Sequence, residues 1–228
     1  MILLSVEQKE KLRQQWYALI RPIAEHAEYA TEVWQVLERH YSEGHRDYHN
    51  LSHIQALLAH AENFKHLVRQ PAVLLLSIWF HDLVYDSRAH DNELKSAQLA
   101  EKWLTKLGID SAVIQHVQQS ILATARHEIP QAKVVARDLP LFLDLDLAIL
   151  GSPPEFYLHY TQAIRNEYRW VPAPLYRSGR LKVIKRLAER DHLYFTTELC
   201  QAFEAQAREN LRHEIKKLSF FSKDSNDG

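Results

Sequence analysis

The sequence predicts an all-α protein, and three observations carry that expectation. Apolar residues recur at three- and four-residue steps through most of the 228 residues, no segment alternates with period two for long enough to require a strand, and glycine and proline mark the ends of the periodic segments. The expected architecture is a multi-helix bundle of about nine or ten helices in a single domain. That domain is expected to cover residues 1–218, with 219–228 a disordered tail whose only apolar residues are Phe220 and Phe221.

The first helix is announced by Ser5-Val6-Glu7-Gln8, which has the form of a capping box, followed by Leu12, Trp16, Leu19 and Ile20. Pro22 is expected to open a second helix that carries Ile23, Ala27, Val33, Val36 and Leu37 and ends near Gly44. A third runs from Leu51 to Val68 and is stopped by Gln70-Pro71. The segment from Ala72 to Tyr85 is apolar almost all round, which predicts a buried central helix. Helices follow from Asp91 to Leu107, closed by Gly108, and from Ser111 to His127, closed by Pro130. Another covers Asp138 to Leu150 and ends at Gly151. Beyond Ser152-Pro153-Pro154 the expected helices are Glu155 to Trp170, Ser178 to Arg190 and a long C-terminal one to Leu218.

Composition removes several classes of function. Five glycines, none in a GxGxxG or GxxxxGK[ST] arrangement, leave no phosphate-cradling loop of the Rossmann or P-loop kind. Lys+Arg 28 against Asp+Glu 29 provides no global field for nucleic acid, so none is expected as a partner. Apolar runs fall short of the ~20 residues of a membrane span, and Met1 to Val6 lacks a basic, cleavable leader. With the single Cys200 unable to form an internal disulfide, the expected location is the cytoplasm. The oligomeric state is left open.

The fourteen histidines are the unusual entry. Tyr48-His49-Asn50-Leu51-Ser52-His53 places two imidazoles four residues apart at a helix start. His81-Asp82 closes a strongly apolar run, so its polar atoms lose water unless paired or bound to a cation. Asp144 and Asp146 lie inside an otherwise apolar helix and need partners for the same reason; a salt bridge to a cation such as Arg137 is the alternative to a metal. A divalent ion held by imidazoles and carboxylates would satisfy all of these groups together.

These residues resemble a known family. The order His53, His81-Asp82 and a later Asp is similar to the H...HD...D order of the HD-domain superfamily of metal-dependent phosphohydrolases. Tyr48 to His53 looks like the YHNxxH signature of cyclic-nucleotide phosphodiesterases, which share that fold. The chain resembles above all the small HD phosphohydrolases of bacteria, with their D-x-D-L segment before Leu-Gly. The motifs cover Tyr48 to Gly151, and the Gly-Tyr-Pro signature of cyclic-di-GMP enzymes is absent.

The resemblance implies His53, His81 and Asp82 as metal ligands, with Asp146, or else Asp144, as the fourth. It implies His49 as the acid that protonates the leaving oxygen, and His127 as a candidate ligand to a second metal. Glu93, shortly after the HD pair, is a candidate base or orienter of the attacking water. Arg180, expected near a helix start, is a candidate for phosphate binding and Tyr85 for the substrate pocket. The implied cofactor is a divalent ion, Mn, Fe, Mg, Ni or Zn. The implied activity is hydrolysis of a nucleotide or other small phosphate ester. A di-iron HD-type oxygenase and a non-catalytic metal-containing nucleotide sensor are the alternatives.

Overall fold

The computed structural model describes residues 4–131 and 135–223. Among these the chain forms ten α-helices, three short 3-10 turns and no strand, as the helical period predicts. The helices are α1 (Val6–Ile20), α2 (Ala30–Tyr41), α3 (Leu51–Asn63), α4 (Pro71–Phe80), α5 (Asn92–Lys106), α6 (Ser111–Thr124), α7 (Leu139–Asp146), α8 (Pro154–Glu167), α9 (Ala173–Ala188) and α10 (Thr197–Lys223). No helix among the described residues is long and apolar enough to cross a membrane.

The chain packs as two compact units, 1–145 and 146–228, where the sequence leads one to expect a single domain over 1–218. In the first unit α4 is the central helix, packed by α3, α5 and α6. Its residues Val73, Leu74, Leu76, Ser77, Ile78, Trp79 and Phe80 are buried, as a segment apolar on every side requires. An aromatic cluster anchors its C-terminal end: Trp16 meets Trp79 and Phe80 edge-on at 5.8 and 6.1 Å, and Trp34 meets Trp79 at 6.0 Å. The polar tips are satisfied, Trp16 Nε1 donating to Ala30 O at 2.9 Å and the Tyr41 hydroxyl to Trp79 O at 3.0 Å. Residue 81 therefore starts from a rigidly held place.

Several boundaries differ from the sequence expectation, each for a local reason. The helix expected from Pro22 begins only at Ala30, because Glu25 and His26 run against Gly108 and the His26 N–H donates to Leu107 O at 3.0 Å. Gly108 adopts φ +67, and a Cβ there would meet Glu25 Cβ at 2.8 Å, so glycine is required both by conformation and by space. α4 stops at Phe80 rather than Tyr85, since the carbonyls of Asp82 and Leu83 are taken by Arg46. α9 starts five residues early, at Ala173, with proline in its first turn.

In the second unit, the 3-10 turn Leu147–Gly151 packs on α8 and α10, and α9 packs on α10. The Asn210 amide donates to Leu150 O and Ser152 O, both at 2.8 Å, and Gly151 lies directly against Phe203. The tail expected to be disordered from residue 219 is helical to Lys223, and 224–228 lie outside the described residues.

Candidate metal centre

Asn50 organises the first part of the site. It is the N-cap of α3, its side chain accepting from Ser52 N at 2.9 Å and Ser52 Oγ at 2.6 Å while donating to Asp47 O at 3.1 Å. His49 thus stands just outside the helix and His53 in its first turn, with ring centroids 6.0 Å apart. The rest comes from the end of α4. His81 is its C-cap, and its Nδ1–H donates to Ile78 O at 3.0 Å, one of the carbonyls a helix terminus leaves over. With the proton committed to that carbonyl, the Nε2 lone pair is the one presented to the site, the arrangement common to metal-binding imidazoles.

His53 Nε2 lies 3.2 Å from His81 Nε2. Asp82 Oδ2 lies 3.0 Å from His81 Nε2 and 3.8 Å from His53 Nε2. The point equidistant from these three atoms is about 2.0 Å from each, the length of a Zn–N or Zn–O bond. His53 and His81 are buried, and Asp82 keeps 18% of its side chain exposed, so the centre is open on the carboxylate side. The donor set of two imidazoles and a carboxylate suits borderline first-row ions, and Phe142 closes one side with its ring 5.7 Å from that of His81.

The residue that sequence reasoning missed is Arg46. It is wholly buried, donating from Nη1 to His49 O (3.2 Å) and Asp82 O (2.6 Å), from Nη2 to Leu83 O (2.9 Å) and from Nε to Glu43 Oε2 (2.9 Å). Its guanidinium also lies over the rings of Tyr41 and Tyr85. One side chain therefore joins the loop that carries His49 to the loop that carries Asp82. Nothing in Glu43-Gly44-His45-Arg46-Asp47 signals this, because a charged run reads as a solvated loop.

Tyr85 lies near these residues: its ring stacks on His49 at 4.1 Å, and His45 Nε2 meets its carbonyl at 2.7 Å. Ser96 holds this loop through Val84 N at 3.0 Å. Tyr48 lies against both His49 (5.0 Å) and His53 (4.8 Å). Farther along α3, His60 is held below its ordinary value by burial and by His53.

Other expected residues stand elsewhere. Among the described residues, the converging ligand group in this unit is His53, His81 and Asp82, without Asp144, Asp146, His127 or Glu93. Asp144 is wholly buried within the first unit, whereas Asp146 is half-buried at the unit boundary. His127 follows α6 with φ 49, its N–H donating to Ala123 O at 2.9 Å, so it serves as a left-handed helix terminator. Glu93 occupies the first turn of α5, where a carboxylate complements the helix dipole.

Arg180 corrects the expectation of a phosphate anchor. It lies inside α9, not at a helix start, and its fork is taken by Glu214, Nε to Oε1 at 2.9 Å and Nη2 to Oε2 at 3.1 Å. In the same unit His192, Cys200 and Glu204 bring ligand atoms together, but Glu204 already receives Leu193 N–H at 2.9 Å and Arg208 Nε at 2.7 Å. Comparison of the chain with family models, with curated proteins and with solved structures gave no match.

Proposed function

We propose that the chain is a metal-dependent phosphohydrolase acting on a nucleotide or other small phosphate ester. The observation that supports the reading is the meeting of His53, His81 and Asp82 within one ligand sphere, with a further imidazole, His49, beside it. His53, His81 and Asp82 would hold a divalent ion, and Asp144 replaces Asp146 as the candidate fourth ligand because it is wholly buried in the same unit. When bound, such an ion lowers the pKa of its water toward ~7 and polarises a phosphoryl oxygen. His49 donates a proton to the departing ester oxygen, a role suited to an imidazole that titrates near neutrality. Tyr85, stacked on His49, fixes the plane of that ring.

The test is a panel of phosphate mono- and diesters assayed with Mn, Fe, Mg, Ni and Zn against chelated protein. Metal-dependent turnover is expected, lost with the metal in His81→Ala. In His49→Ala turnover falls by roughly 10²–10⁴ while the metal is retained. Stoichiometric metal without turnover on any ester would overturn hydrolysis in favour of a sensor.

A further inference from the structure

In the second unit one face of α10 holds the segment of chain that precedes it. Cys200, Glu204 and Arg208 follow one another at four-residue steps and so share that face. Arg208 donates from Nη1 to Ala188 O at 3.2 Å and from Nη2 to Arg190 O at 2.9 Å and Asp191 O at 2.8 Å, while Leu193 N donates to Glu204 Oε2 at 2.9 Å. Backbone groups on both sides of residue 192 are thereby tied to the helix. His192, Cys200 and Glu204 each bring one ligand atom to the same place, all within 4.8 Å of one another.

The bonds that Glu204 makes leave it able to ligate. Arg208 approaches Oε1, from Nε at 2.7 Å and from Nη2 at 2.6 Å, whereas Oε2 takes its close bond from Leu193 N alone, and a carboxylate oxygen offers two lone pairs. Such neighbours are what orients a ligating carboxylate. Cys200 is half-buried, and its thiol donates to Tyr194 O at 3.1 Å; loss of that proton to solvent makes it a thiolate ligand. His192 is exposed, and among the described residues it makes no hydrogen bond that ligation would have to break. Zinc bonds of about 2.3 Å to sulfur and about 2.0–2.2 Å to nitrogen and oxygen set tetrahedral ligand atoms about 3.3–3.6 Å apart, a closure that rotation of the His192 side chain can supply.

We propose that His192, Cys200 and Glu204 form a zinc site, its fourth position taken by water, that clamps the segment before α10 onto the helix. The donor set selects the ion: a thiolate beside an imidazole suits zinc, whereas Mg and Mn prefer oxygen. The site lies wholly within residues 146–228 and does not depend on the reading of His53, His81 and Asp82.

Cys200 is the only cysteine in the chain, so a thiolate-to-metal charge-transfer band reports this site and no other. The experiment titrates Co(II), a spectroscopic stand-in for zinc, into the full chain after it has been reduced and stripped of metal. A near-ultraviolet band is expected that zinc abolishes and that persists in Asp82→Ala, where it saturates at one Co(II) per chain. His192→Ala and Glu204→Gln are each expected to weaken Co(II) binding at least about tenfold. Zinc is expected to slow alkylation of Cys200 by iodoacetamide by a similar factor, since a metal-bound sulfur is a poor nucleophile. Circular dichroism establishes that each variant is folded, and His192→Ala, at an exposed position, supplies the reading if Glu204→Gln is not. No band, a band unchanged in folded His192→Ala, a band that requires Asp82, alkylation indifferent to zinc, or saturation at one Co(II) for two chains would each overturn the proposal.

Discussion

Arg46 Nη1 donates to the backbone carbonyl of Asp82 at 2.6 Å, so the position of a candidate metal-binding carboxylate is set by a cation that touches its main chain rather than its side chain. The same atom reaches His49 O at 3.2 Å. The relation between His49 and the loop that carries Asp82 is therefore mechanical, and it can be broken without altering any candidate ligand.

Replacing Arg46 tests that coupling. A lysine has one donor head and cannot serve carbonyls at residues 49, 82 and 83 together, while methionine leaves all of them without a partner. Arg46→Met is expected to lower stability by about 3–5 kcal/mol, the scale for removing one member of a buried charged network. Arg46→Lys is expected to retain part of the stability and still weaken Mn binding. Thermal unfolding with a parallel metal titration checks both, and a Lys variant with native metal affinity would show that the ligands hold their places unaided.

Metal binding itself predicts a stability effect independent of any substrate. An ion that binds only the folded chain raises its stability by about 2.7 kcal/mol at a hundredfold excess over Kd. The melting temperature is expected to rise on adding Mn to chelated protein, and to stay flat in Asp82→Ala and His81→Ala. Asp144→Asn is expected to weaken the shift more than Asp146→Asn. A shift that survives both ligand substitutions would place the ion elsewhere.

His40 predicts the pH response of the first unit. Burial, with the charges of Arg46 and Arg39 behind it, lowers its pKa from 6.5, and Glu43 only partly opposes this. The unfolded chain therefore binds the proton more readily than the folded one between the lowered value and 6.5. Stability should be complete above about pH 7 and fall as the pH drops through that window. His40→Gln is expected to flatten this slope in denaturant titrations at stepped pH. His60, lowered in the same direction, keeps some slope in place.

The Arg180–Glu214 pair carries the fourth prediction. Both side chains are about nine-tenths buried, and Glu214 also receives the Tyr157 hydroxyl. Glu214→Ala strands a buried guanidinium and is expected to cost about 3–5 kcal/mol, whereas Arg180→Met with Glu214→Leu costs much less, because no charge is left uncompensated. Equal losses in single and paired variants by chemical denaturation would contradict this account.

The helical period made most of the fold legible, because burial of one face imposes the same spacing on each amphipathic segment. Its failures fall where a distant partner overrides local preference: His26 N–H goes to Leu107 O, and the carbonyls of Asp82 and Leu83 go to Arg46. In the site, His53, His81 and Asp82 are readable because an imidazole and a carboxylate at the close of an apolar run are costly without a shared purpose. Arg46 is not readable, since a buried arginine and a solvated one look alike in a polar segment. Arg180 misleads for the converse reason, its mate Glu214 lying 34 positions away.

Gly151 has a consequence of its own. A Cβ at this position would come within 2.5 Å of Phe203 Cβ and 2.8 Å of its carbonyl oxygen, whereas Gly44 and Gly179 have nothing within 4 Å. A library randomised at these three codons and sorted for intact protein should return one amino acid at 151 and a broad assortment at 44. At 179, inside α9, it should enrich alanine, worth roughly 0.5–1 kcal/mol over glycine in a helix interior.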